Sequence, residues 1–233
     1  GTGNYNPKTA RFYEDYGLLT SRDEVGEDIA KLFNRLSAYA EDLSFNEVLV
    51  SPVGVRTGLT SLIEAEAKNA KEGKPAGIQI KLNSLVDEQI IDSLYRASKA
   101  GVKVDILVRG MCSLKPGVKD LSENITVRSV LGRYLEHSRV FRFINGGVPM
   151  VFIGSADMMH RNLDRRVETL VRLRKEDHLY EMQKLFELAM HPTASSWQLG
   201  SDGIWVRNGA VSNEQGFFDS INEEEVQKIE MIK

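Results

Sequence analysis

The sequence predicts an α/β fold, with a mixed, largely parallel central sheet flanked by helices. Three observations carry that expectation. Short β-branched runs alternate with amphipathic stretches from residue 47 to 108, and such an alternation pairs strands in parallel through right-handed crossovers. A hairpin pattern follows, Val140-Phe141-Arg142-Phe143 and Val148 to Ile153 around the turn Asn145-Gly146-Gly147. A helix from about Asp177 to Ala189 then packs through Leu179, Met182, Leu185, Phe186 and Leu188.

Taken in order, Gly1 to Asn6 is a glycine-rich turn, and Ser21 to Leu43 reads as a helix. Ile29, Leu32, Phe33, Leu36 and Tyr39 recur there at three- and four-residue intervals. Glu47 to Ser51 is a buried strand that Pro52-Val53-Gly54 breaks, and a domain division is placed near residue 46. Leu59, Leu62, Ile63, Glu66 and Ala70 give the next helix one mainly apolar face, ended by Gly73-Lys74-Pro75. Ile78 to Leu82 is a strand, and Ser84 is placed as the cap of a helix burying Val86, Ile90, Leu94 and Ala97. Val102 to Val108 and Ile125 to Val130 are strands, and Val167 to Leu173 is expected to be the last one. The acidic stretch Asn222 to Glu225 reads as solvated.

Composition bounds the function. A chain of 233 residues, 42% hydrophobic and 27% charged, is ordinary for a soluble globular protein with one large core or two domains. The net charge of −3 gives no general attraction for nucleic acid, so any bound anion needs a local cationic cluster. The one cysteine, Cys112, excludes an internal disulfide and suits a reducing compartment. No apolar run reaches the roughly 20 residues of a membrane span.

The candidate site follows from strand ends. Ligands of parallel α/β sheets collect beyond the carboxyl ends of the strands, and Lys81 and Arg109 lie at two of those ends. His137 and Arg139 share one face of the strand that opens the hairpin. The small-residue corner Gly154-Ser155 closes the hairpin, and Arg161-Asn162-Leu163-Asp164-Arg165-Arg166 follows, with Asp164 expected to orient an arginine. A histidine, arginines and a Gly-Ser corner suit a phosphate better than a metal or an acyl group. Taken alone, His137 reads better as a partly buried histidine at a strand start. His160, His178 and His191 lack metal-ligand spacing and are expected at the surface; no metal site is assigned and no phosphate-cradling Gly-x-x-x-x-Gly-Lys loop is present.

His-x-Arg, followed after a hairpin by Gly-Ser and an Asn, resembles the half-site motif of the phospholipase D superfamily. More narrowly, Leu135-Glu136-His137-Ser138-Arg139, Ser155-Ala156-Asp157, Arg161-Asn162-Leu163-Asp164 and Arg109-Gly110-Met111-Cys112-Ser113-Leu114 resemble the last domain of bacterial polyphosphate kinase. Gly1-Thr2-Gly3-Asn4-Tyr5-Asn6 and Leu18-Leu19-Thr20 extend the match toward the start. The resemblance implies an ATP:polyphosphate phosphotransferase of phospholipase D-like fold. Residues 1–46 would then trail from the penultimate domain, and 47–233 would form the C-terminal catalytic domain. His137 is the implied catalytic residue, and ATP or phosphate would meet Tyr13, Lys81, Arg109, His137, Arg139, Ser155, Arg161 and Asn162. The histidine that carries the phosphoryl group belongs upstream of Gly1, so this chain alone is expected to be inactive. Mg2+ enters with ATP, its ligands outside this chain. The implied partners are ATP or ADP, inorganic polyphosphate and the upstream domains of the same protein, with self-association open and no nucleic acid. The implied location is cytoplasmic, with a peripheral seat at the inner membrane face as an alternative. Two rival readings are a phospholipase D-like phosphodiesterase, which usually has lysine where this chain has Arg139, and a non-catalytic polyanion-binding module.

Overall fold

The computed structural model describes residues 1–3, 5–37, 44–52, 54–132, 134–192 and 194–208. The strands are β1 (Tyr13–Glu14), β2 (Val48–Val50), β3 (Gly77–Leu82), β4 (Lys103–Val108), β5 (Ile125–Val130), β6 (Leu135–Glu136), β7 (Val140–Phe143), β8 (Met150–Gly154), β9 (Thr169–Leu173), β10 (Ser196–Leu199) and β11 (Trp205–Asn208). The helices are α1 (Asp23–Ser37), α2 (Gly54–Lys71), α3 (Glu88–Lys99) and α4 (Glu176–Ala189).

Nine strands make one sheet in the order β11-β10-β5-β4-β3-β7-β8-β9-β2. The α/β class holds, but the parallel part is confined to β3, β4 and β5. β7 joins β3 antiparallel, β7 and β8 form a hairpin, and β9 and β2 continue antiparallel from there. The expected largely parallel sheet is therefore a parallel centre with antiparallel flanks.

Alternation along the strands sorts the core into two layers. On one face Ile78, Ile80, Ile106, Phe141 and Phe143 pack with Leu59 and Ile63 of α2 and Leu94 of α3. On the other, Leu107, Val140, Val151 and Ile153 pack with Met182, Leu185 and Phe186 of α4. Tyr16 and Leu18 lie over that second layer, so the first residues of the chain cross the sheet face.

Three local expectations change. α3 is capped by Asp87, whose side chain accepts the Ile90 N–H, and not by Ser84. Ser84 instead spends its carbonyl on the Met158 N–H. β9 is not the last strand, because β10 and β11 extend the sheet past β5. In α1, Val25 and Leu32 are buried, whereas Phe33 and Leu36 are 67% and 57% exposed. Tyr39, the rest of 38–43, and Asn222 to Glu225 lie outside the described residues.

Two buried carboxylates tie elements together. Asp28 of α1 accepts the N–H groups of Asn46 and Glu47 at 2.7 Å each and that of Val48 at 3.3 Å, fixing the entry to β2. Glu66 of α2 accepts the N–H groups of Gly77 and Asn145, and burial pushes its carboxyl up. No helix among the described residues is long and apolar enough to cross a membrane.

Candidate active site

The loops after β3, β4 and β8 are stitched together by backbone hydrogen bonds. Leu85 bridges to Cys112 on one side and Met158 on the other. The Gly110 N–H donates to the Asn83 carbonyl at 2.8 Å, and a Cβ at Gly110 would meet that oxygen at 2.7 Å. Only glycine lets these two loops touch. Cys112 is half-buried beside the main core, and burial pushes its thiol up.

This stitching holds a polar network of Asn83, Arg109, Arg139 and Asp157. The Asn83 backbone N–H donates to Asp157 Oδ1 at 2.7 Å, and its side-chain oxygen accepts from Arg109 Nε. Arg139 lays its fork on Asp157, with Nη2 at 2.9 Å and Nε at 3.3 Å. Its Nη1 donates to the carbonyls of Thr2 and His137 at 2.7 and 3.1 Å. Arg139 is thus buried and bound by protein, a bidentate pairing that suits guanidinium geometry.

His137 projects from this network. Its Nδ1 lies 2.9 Å from both oxygens of Asp15, which makes Nδ1 the proton donor, and its Nε2 lies 3.2 Å from Arg139 Nη1. Thr2 Oγ1 donates to Asp15 at 2.7 Å. Burial pushes the Asp15 carboxyl up, but the His137 and Thr2 hydrogen bonds and the His137 and Arg139 charges outweigh it and hold it below the usual carboxylate range. The Tyr13 ring is tilted 47° against the imidazole with centroids 4.8 Å apart.

Beside this trio opens a cleft of about 410 Å³, walled by Phe12, Tyr13, Leu131, Tyr134 and Leu135, with Arg109 in its lining. Arg109 uses Nε on Asn83, and among the described residues its two Nη groups have no protein hydrogen bond. Burial and the nearby Arg139 both lower its guanidinium affinity for a proton, so an anion alongside would relieve it.

The other expected residues lie elsewhere. Lys81 is buried, with its ammonium on Glu14, Glu136 and Ser138. Ser155 Oγ and Asn162 Nδ2 both donate to Glu168, away from His137. A Cβ at Gly154 would meet the Thr169 carbonyl at 1.9 Å, which explains the glycine of that corner. Arg161 is exposed. Asp164 does orient an arginine, but it is Arg56 of α2, which with His160 holds the Asp164 carboxyl at about 2. His160 is exposed and meets Asp87 and Glu88 within 4.8 Å, a trio in which Asp87 already pairs with Arg56.

Asp15, Asn83 and Asp157 complete the arrangement without having been assigned a role from the sequence. Asp15 stands two residues from Tyr13, so strand alternation could have placed it beside that ring. Asn83 and Asp157 gave no local signal, because they meet only through the fold. Asp15 and Asp157 are both taken by protein partners, so the carboxylates at the site do not fit a magnesium ion.

Comparison with known proteins agrees with this picture. The family model described as polyphosphate kinase C-terminal domain 2 matches residues 48–217, and that of C-terminal domain 1 matches residues 1–42. A polyphosphate kinase of Streptomyces coelicolor is 56% identical over 215 residues, covering 92% of this chain and 29% of the relative. One of Mycobacterium avium is 53% identical over 206 residues, covering 88% and 28%. The crystal structure of polyphosphate kinase from Porphyromonas gingivalis superposes with a TM-score of 0.90 at 35% identity, over 99% of this chain and 36% of that one. The chain therefore spans less than a third of the length of the curated relatives named here. With the domain 2 model covering the nine-stranded sheet and the domain 1 model covering β1, the chain belongs to the polyphosphate kinase family.

Proposed function

We propose that this chain is the C-terminal catalytic portion of an ATP:polyphosphate phosphotransferase. The observation that carries the reading is the cleft itself, an aromatic wall with Arg109 in its lining and with its Tyr13 ring against His137. A nucleotide base suits the wall formed by Phe12, Tyr13 and Tyr134. Arg109 suits the phosphates, since its Nη groups have no protein partner among the described residues. The γ-phosphoryl group then sits near His137, whose Nε2 hydrogen-bonds a phosphate oxygen or exchanges a proton with it.

In the reaction, the bond from the γ-phosphorus to the β–γ bridging oxygen breaks and ADP leaves. The phosphorus bonds a histidine nitrogen supplied upstream of Gly1 and then passes to the terminal oxygen of polyphosphate, both steps being reversible. Phosphoryl transfer needs positioning and charge stabilisation more than covalent help, which fits what His137, Arg109 and Tyr13 offer. Magnesium enters with ATP and takes its protein ligands outside this chain. Residues 1–46 trail from the preceding domain, and the protein works in the cytoplasm.

The test is product analysis with γ-labelled ATP. The complete protein is expected to form acid-stable labelled chains, and this 233-residue chain alone is not, because a covalent step needs its nucleophile. Chain formation by the 233 residues alone, or cleavage of a phosphodiester by the complete protein in place of transfer, overturns the reading.

A further inference from the structure

Lys81 stands at a strand end, where a cation suggests a phosphate ligand, yet it faces inward. Its Nζ lies 2.9 Å from Glu14 and 3.0 Å from Glu136, and it also bonds Ser138 Oγ. Ser138 in turn donates to Glu14 at 2.7 Å. Lys81 is 4% exposed and the two glutamates 7% each, so all three charged groups are out of water.

The carboxylates belong to β1 and β6, a separate parallel pair of two residues each, in the register Tyr13↔Leu135 and Glu14↔Glu136. A pair so short has no stability of its own. Placing two glutamates side by side in it is unfavourable unless something lies between them. We infer that Lys81, with Ser138, is a positioning residue that clamps β1 to β6 from behind, and that this clamp sets the Tyr13–Asp15–His137 trio at the cleft.

Alternation supplies the link. Tyr13 and Asp15 flank Glu14, and His137 follows Glu136, so turning the glutamates toward Lys81 turns those three side chains the other way. On that opposite side Asp15 meets His137 at 2.9 Å and the Tyr13 ring lies 4.8 Å from the imidazole. The strand hydrogen bonds Leu135 N–H to Phe12 and His137 N–H to Glu14, at 2.7 and 3.2 Å, join the two halves. Burial, against the Lys81 charge and with that of Glu14, pushes the Glu136 carboxyl up. The role of the trio in ATP chemistry rests on the function proposed above; the clamp itself does not.

Two measurements on the complete protein separate these. Hydrogen exchange read by mass spectrometry reports on the peptide containing Leu135 and His137. In Lys81→Met, two buried carboxyls lose their cation, and protection there is expected to fall by about tenfold or more, since an unpaired buried charge is strongly destabilising. The charge-balanced Lys81→Met/Glu14→Gln variant is expected to regain that protection and to bring the KM for ATP back within about threefold of wild type, a margin under 1 kcal/mol. A phosphate-binding Lys81 predicts the reverse: protection unchanged in the single variant and no recovery of KM in the double. That outcome, or a folded double variant that stays unprotected, overturns the clamp. Should Lys81→Met fail to fold, the double variant alone decides by the same criteria. Protection that follows the clamp while no form of the protein uses ATP would leave the clamp standing and remove the proposed function.

Discussion

At the scale of single residues, His137 gains its properties from Asp15 and Tyr13, more than a hundred positions away in the chain. The Asp15 carboxylate fixes the proton on Nδ1, which leaves Nε2 as the nitrogen beside Arg139. Asp15→Asn in the complete enzyme is therefore expected to lower kcat by about 10–100-fold, the range seen when the partner that orients an imidazole is changed. The pH dependence should move with it. Asp15 ionises below the ordinary carboxylate value of 3.8, so the stability it contributes is full above that value and is lost as pH falls through the native pKa. Acid unfolding of the Asn variant, followed by circular dichroism, should accordingly be less steep below pH 4. An Asn variant with wild-type turnover would remove Asp15 from the site.

At the scale of elements, Asp28 is the joint between α1 and the main sheet, since three N–H groups at the entry to β2 converge on one of its oxygens. Burial pushes this carboxyl up, but the Glu47 and Asn46 N–H bonds overcome it and hold it below its usual range. Its contribution is therefore present at neutral pH and lost as pH falls below about 3.8. Asp28→Asn should cost about 1–3 kcal/mol at neutral pH, the penalty of leaving buried partners poorly matched. Thermal unfolding checks this, and an unchanged midpoint would show that α1 is held by packing alone. Sequence pattern made α2, β3, α3, β4, the hairpin and α4 legible, because the helices bury one face and the strands, short apolar runs, are buried on both. It did not show β10 and β11, which are four residues each and exist through pairing with β5. The apolar pattern of α1 overstated its buried face, because Phe33 and Leu36 fit the period and yet are exposed. The capping-box pattern points to Ser84, whereas the Ile90 N–H bonds Asp87, three residues on.

At the scale of the whole molecule, a chain of net charge −3 spends several of its candidate cations on its own carboxylates. Lys81 serves Glu14 and Glu136, Arg139 serves Asp157, and Arg56 serves Asp164, which leaves Arg109 as the cleft's arginine with free Nη groups among the described residues. Sequence alone could rank these cations by strand position but could not tell a ligand from a counter-ion, because their carboxylate partners lie far along the chain. The central claim is that His137 acts on the phosphate path and does not merely fill a strand start. It is tested most directly by His137→Ala in the complete protein, assayed for chain synthesis, for the reverse reaction and for thermal unfolding. A partly exposed side chain leaves little cavity when truncated, so stability should change by less than about 1 kcal/mol. Both directions should be lost together, since they share one path. A variant that loses several kcal/mol of stability yet keeps its turnover would contradict the claim and make His137 a structural residue.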